Sequence, residues 1–267
     1  MKDKISDIKG RMVLDSRGIP TVEAEIFLCD GTSSRAIAPS GASKGRYEAF
    51  EKRDREDSFL GQSVYKNINL INSSIKDVLI GLSIENQLEI DKELIKLDGT
   101  KNKSNIGSNT SISVSLAAIK TAAKYNKLDL WQYLTKCNSI NNFNLPLPEI
   151  QIIGGGLHAI GSISLQDFLI IPNGAPNFLS ALDWTYKIYC KTGELLKESN
   201  KLKGVADEGG YWPDFRSSEE VLILLTEAIS KAGFKPLRDV SISLDIAANN
   251  FKCSQGYKLE KDLINGD

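Results

Sequence analysis

The feature that most constrains this chain is a change of pattern near its middle. Before the proline-punctuated stretch "NNFNLPLPEI" (141–150), extended and helical segments come in separate blocks; after it they alternate. In the first block, "PTVEAEIFLCDGTSSRAIAP" (20–39) sets Val22, Ala24, Ile26 and Leu28 on one face. It then reaches Asp30-Gly31 and resumes as an extended run, which is the pattern of a β-hairpin with an Asp-Gly turn. Ile68, Ile71, Ile75, Val78 and Leu79 lie at helical spacing within 65–82. Ile84, Leu88 and Ile95 mark a second helix that ends near Asp98-Gly99, and Ile112, Leu116, Ile119 and Ala123 form the stripe of a third over 108–127. A few strands followed by several helices is an α+β arrangement.

Beyond the link, 149–153 and 164–172 read as strands and 177–199 as a helix. A second helix over 217–234 is opened by the capping box Ser217…Glu220 and stopped by Gly233. Residues 239–248 form a strand that is apolar at Val240, Ile242 and Leu244. This alternation predicts an α/β sheet or barrel. The expected domains are therefore an α+β unit over 1–135 and an α/β unit over 142–267. The second is about half the roughly 250 residues that a complete (β/α)₈, TIM-like barrel takes, so half a barrel is expected.

Composition removes several function classes. With 33 basic and 34 acidic residues the net charge is −1, which gives no electrostatic reason to bind nucleic acid or an anionic membrane. The longest apolar runs, such as "VLILL" (221–225), are far short of the ~20 residues of a membrane span. "MKDKISDIKG" mixes both charge signs without an apolar core and does not read as a secretory signal. Cys29, Cys137, Cys190 and Cys253 are scattered and form no CxxC pair, a usage that suits a reducing, cytoplasmic setting.

Four places offer chemistry, each with a plainer alternative. "GVADEGGYW" (204–212) sets Asp207 and Glu208 against two glycines; they are either solvated turn residues or acids held in a cleft, where burial makes a carboxyl a proton donor. The Ser/Gly loop in "APSGASKGRYEAFEKRD" (38–54) is either a flexible surface loop or a mobile lid whose Ser40 and Ser43 offer oxygens to a cation or phosphate; it lacks the P-loop pattern. His158, the only histidine, follows three glycines and is either structural or functional. Asp245 ends the run "SISLD" and is either a turn residue or a metal-binding or catalytic acid at a strand's carboxyl end, where a hard cation such as Mg²⁺ would fit.

Taken together, seven collinear stretches resemble the enolase family. They are "LDSRGIPTVE" (14–23), "PSGASKGRYEAFEKRD" (39–54), "LDGTKNKSNIGSN" (97–109), "GGGLHA" (154–159), "LQDFLIIPNGA" (165–175), "ADEGGYWP" (206–213) and "SLDIAANNF" (243–251). The resemblance implies an α+β capping domain followed by the first half of an enolase-type α/β barrel. It also implies reversible dehydration of 2-phosphoglycerate to phosphoenolpyruvate with Mg²⁺, in a cytoplasmic homodimer. By the same match Glu208 would be the general acid, and His158 and Asp167 would sit at the substrate. Asp245 and Ser43 would bind Mg²⁺, with Ser40, Gly41, Ala42 and Ser43 forming the lid.

There are departures. Family members usually carry Asn where Ile19 and Gly154 stand, Thr where Lys44 stands and Glu where Asp167 stands; a further Asn appears replaced within "IGS" (160–162). The family's other two metal carboxylates, its proton-abstracting Lys, a second Lys and a His-Arg pair match no residue of this chain. The expectation is therefore a truncated product or fragment, inactive alone. The alternatives are a non-catalytic enolase-like binding module, or a paralogue acting on another hydroxy-carboxylate.

Overall fold

A computed structural model describes residues 2–41, 43–139, 143–160, 163–260 and 262–265. They group into two compact units, one of residues up to 41 with 47–143, the other of 42–46 with 144–267. No helix among the described residues is long and apolar enough to cross a membrane.

The first unit is built on three antiparallel strands in the order β1 (Ile5–Leu14), β2 (Pro20–Leu28) and β3 (Ser33–Ala38). The expected hairpin is β2 with β3, and Ala24 lies opposite Ala36. β2 is central. Val22, Ala24, Ile26 and Leu28 enter the core, while Glu23 and Glu25 are held by Arg11 of β1 at 3.0 and 2.6 Å. β1 was not anticipated; a bulge between Ile5 and Asp7 breaks its alternation.

Helix α1 (Tyr65–Leu70) passes through a single π-helical stretch (Ile71–Ile75) into α2 (Lys76–Leu79). The expected helix over 65–82 is therefore interrupted. Its buried residues, Asn67, Ile71, Ile75 and Leu79, recur every four positions. In a regular α-helix of 3.6 residues per turn each such step drifts by about 40°. The wider i→i+5 turn takes up that drift and keeps the stripe on the core. It also presents Asn72 to β1, where its Oδ1 accepts from Gly10 N–H at 2.8 Å.

Helix α3 (Gln87–Asp98) is capped by Asn86 and ends at Gly99 in the left-handed region, the end expected; its expected stripe is not the buried one, since Ile84 precedes the helix and Leu88 and Ile95 are exposed while Ile90 and Leu94 enter the core. α4 (Ser108–Tyr125) packs on β2 and β3. α5 (Leu130–Cys137), opened by a capping box of Asp129 and Gln132, was not anticipated.

The second unit carries a five-stranded sheet of β4 (Ile150–Gly154), β5 (Asp167–Ile171), β6 (Leu202–Val205), β7 (Tyr211–Pro213) and β8 (Ser241–Asp245), in the order β6-β7-β4-β5-β8. α6 (Phe178–Glu198) and α7 (Ser218–Lys231) pack on each other and on the sheet. Ile188 and Leu196 of α6 and Leu225 and Ile229 of α7 meet Ile152, Phe168 and Val240 in one core. The barrel is only partly present, and its sheet is mixed. β4 runs parallel to β7, but β5 is antiparallel to both β4 and β8.

The β6–β7 hairpin was not read from sequence, since its strands are four and three residues long and one contains Gly204. A small antiparallel sheet of β9 (Lys252–Cys253), β10 (Gly256–Leu259) and β11 (Asp262–Ile264) was also not anticipated.

Asp98 shows how the first unit's loops are fixed. Its buried carboxylate accepts the N–H groups of Thr100, Asn105 and Ile106 at 2.9, 3.0 and 2.8 Å, and the Thr100 hydroxyl. Burial pushes this carboxyl up, but the Ile106 N–H, the Thr100 hydroxyl and N–H and the Asn105 N–H outweigh it and hold it below 3.8. A depressed folded-state pKa contributes stability above the unfolded value that disappears as pH falls through the folded one. Asp98→Asn is expected to destabilise the first unit by about 1–3 kcal/mol near neutral pH. In denaturant unfolding measured against pH, the gap from wild type should shrink as pH falls below the usual carboxylate range.

Candidate active site

The turn between β6 and β7 carries Ala206, Asp207, Glu208, Gly209 and Gly210. It closes with Ala206 N–H to Gly210 O at 2.7 Å and Gly209 N–H to Ala206 O at 3.0 Å, and Gly209 has φ +96°. Two elements pin it. From α6, Tyr189 Oη donates to Gly209 O at 3.0 Å while its ring stacks on Tyr211, centroids 4.3 Å apart. Burial, reinforced by Tyr189, pushes the Tyr211 phenol up. From β4, Gln151 Oε1 accepts from Gly210 N–H at 2.9 Å. The turn reading of Asp207 and Glu208 is thus right about their place. The Glu208 side chain is 45% exposed, so no closed apolar pocket surrounds it.

The turn nevertheless points into a cluster. His158 ends a short 3₁₀ turn (Gly156–His158) after β4, and its ring is buried. Its Nδ1 lies 2.5 Å from Asp207 Oδ1. Its Nε2 lies 3.6 Å from Glu208 Oε1 and 3.9 Å from Asp167 Oδ1. Asp167 is buried at the start of β5; its Oδ1 accepts from Gln151 Nε2, which also lies 3.5 Å from Glu208 Oε2.

Asp245 is the direct neighbour of Asp167 across the β5–β8 pair, exposed at the carboxyl end of β8. Its Oδ1 accepts from Ala247 N–H at 2.9 Å, the turn-residue bond, and its Oδ2 from Gln166 Nε2 at 3.2 Å. Gln166 Oε1 accepts in turn from Asn250 at 3.4 Å.

Glu208, His158 and Asp167, with Asp245 beside them, are thus brought together. The first three place one ligand atom each within 4.8 Å of one another, a set that could hold a divalent ion. Among the described residues no hydrogen bond joins Ser43 to this cluster. In the first unit, the Ser40 hydroxyl donates to Glu51 at 2.8 Å and its carbonyl accepts from Arg17 at 3.0 Å. Ala42 and two residues of "IGS", Gly161 and Ser162, lie outside the described residues. Sequence reasoning missed the working side chains of Gln151 and Gln166, and gave Asp207 no role apart from Glu208. A Gln inside an otherwise apolar strand was the available signal for the first.

Comparison with known proteins gives the family. A family model described as the enolase N-terminal domain matches residues 5–134, and one described as the enolase C-terminal TIM barrel domain matches 142–267. The chain belongs to the enolase family. It is 43% identical over 255 residues to a protein named Enolase from Ehrlichia canis (strain Jake), covering 95% of this chain and 60% of that one. It is 45% identical over 249 residues to one named Enolase 1 from Desulfitobacterium hafniense (strain Y51), covering 93% and 56%. The chain therefore spans less than two thirds of the length of these enolases.

Gly154 lies against the hairpin turn. A Cβ at Gly154 would lie 2.6 Å from the Ala206 Cβ, so no larger residue fits without movement of β4 or the turn. Gly154→Asn is expected to destabilise the second unit by about 1–3 kcal/mol. Ala206→Gly in the same chain should recover most of it, giving a favourable coupling in a double-mutant cycle measured by urea unfolding.

Proposed function

We propose that this chain supplies the general acid and part of the metal site of an enolase-type lyase, which reversibly dehydrates 2-phosphoglycerate to phosphoenolpyruvate. The observation that carries the reading is the meeting of Glu208, His158 and Asp167 beside Asp245, in a member of this family. Glu208 donates the proton to the departing hydroxyl; its partial exposure leaves it open to a substrate. His158 and Asp167 flank the reacting end and, with the Gln151 amide, fix where Glu208 can reach. Asp245, an open carboxylate at a strand end, offers the hard oxygens that Mg²⁺ takes, and Ser43 would add a hydroxyl from the lid of Ser40, Gly41, Ala42 and Ser43. A metal held there would supply positive charge to an anionic substrate. The base that takes the C2 proton is assigned to no residue of this chain. A cytoplasmic homodimer is part of the same proposal.

Phosphoenolpyruvate absorbance tests it. The 267 residues assayed alone are expected to stay at background; turnover of ~1 s⁻¹ or more would overturn the assignment of the base elsewhere. In a complete enolase barrel built on this chain, Glu208→Gln is expected to cost about 10²–10⁴-fold in turnover. Exchange of the C2 hydrogen with heavy water should persist. Loss of exchange together with turnover would remove Glu208 from the acid's role.

A further inference from the structure

His158 is a buried ring bounded by three carboxylates, and they do not approach it alike. Asp167 and Glu208 both lie toward Nε2, at 3.9 and 3.6 Å, beyond direct hydrogen-bond range. Asp207 alone is in contact, and with the other nitrogen, Nδ1, at 2.5 Å. The Asp207 side chain is 30% exposed and the His158 ring 2%, so the acid closes over the ring from the solvent side. Asp207 is itself fixed, because the turn that carries it is pinned by Tyr189 at Gly209 and by Gln151 at Gly210.

We infer that Asp207 is the positioning residue for His158. An ionised carboxylate only accepts, so the bond between Asp207 and Nδ1 requires the proton to be on Nδ1. In an imidazole, the hydrogen bond made by one nitrogen decides the state of the other. Asp207 therefore fixes the ring's rotation and presents Nε2 to the space shared by Asp167 and Glu208. Adjacent residues of one turn then divide the work. Glu208 faces the reacting group, and Asp207 acts on it only through His158. The catalytic meaning of this rests on the lyase reading above; the tautomer does not.

The chain has one histidine, so an imidazole signal has one source. The experiment is a two-bond ¹H–¹⁵N correlation spectrum of the ¹⁵N-labelled 267-residue chain at neutral pH, for wild type, Asp207→Asn and Asp207→Ala. In the wild type Nδ1 is expected in the protonated range. In Asp207→Asn the introduced amide offers an N–H to the ring, and Nδ1 should move to the lone-pair range with the proton on Nε2. In Asp207→Ala, with no acceptor on that side, both tautomers should be populated. A wild-type Nδ1 without a proton would overturn the inference even if neither variant folded. Unchanged nitrogen shifts in folded Asp207→Ala, which has no acceptor to offer, would overturn it too. None of these readings involves turnover, so a chain with the expected tautomer and no role in dehydration would sink the proposed function and leave the inference standing.

Discussion

The candidate site depends on one side-chain amide. Gln151 accepts from the N–H of Gly210 and donates to Asp167, with Glu208 at 3.5 Å from the same nitrogen. An amide is the only uncharged side-chain group that offers both a donor and an acceptor in this fork. A carboxylate at position 151 would add a further negative charge to the acids already gathered there, and an aliphatic residue would deprive the buried Asp167 of a donor. β4 and β7 share a single register pair, Ile153 with Tyr211, so backbone pairing does little to hold the turn against the sheet. The amide and the Tyr189 hydroxyl supply what that short ladder does not.

Most of the first unit was legible because its elements are long and locally consistent. The alternation in β2, the Asp-Gly turn and the left-handed Gly99 after α3 each speak in nearest-neighbour terms. β1 was hidden because a bulge between Ile5 and Asp7 sets its buried Ile5 and Ile8 three positions apart, and Gly10 follows where an apolar side chain would continue the alternation. In the second unit α6 and α7 were read nearly to their ends. The β6–β7 hairpin was not, because strands so short owe their existence to tertiary partners, chiefly Gln151 and the Tyr189–Tyr211 stack.

The site was legible by residue type and motif, and much less so by geometry. The enolase stretches singled out Glu208, His158, Asp167 and Asp245, and the fold brings these four together. What sequence could not supply is which nitrogen of His158 meets which acid, because Asp207 is 49 positions away and reaches the ring only through the hairpin. Gly154 is similar: a side chain there would meet Ala206, a residue remote in sequence.

The π-helical stretch at Ile71–Ile75 bears on how relatives of this chain align. A core stripe with a strict four-residue repeat needs one residue more than a regular helix would use over the same rise. That surplus residue sits in the middle of a continuous helix and makes no loop. A relative whose helix is regular here would differ by a single-position gap that opens within the helix, with both flanks still helical and superposable. Gaps are ordinarily assigned to loops, so an alignment that pushes this one into the turn after Leu79 would rotate Ile75 and Leu79 off the core and misassign every residue between.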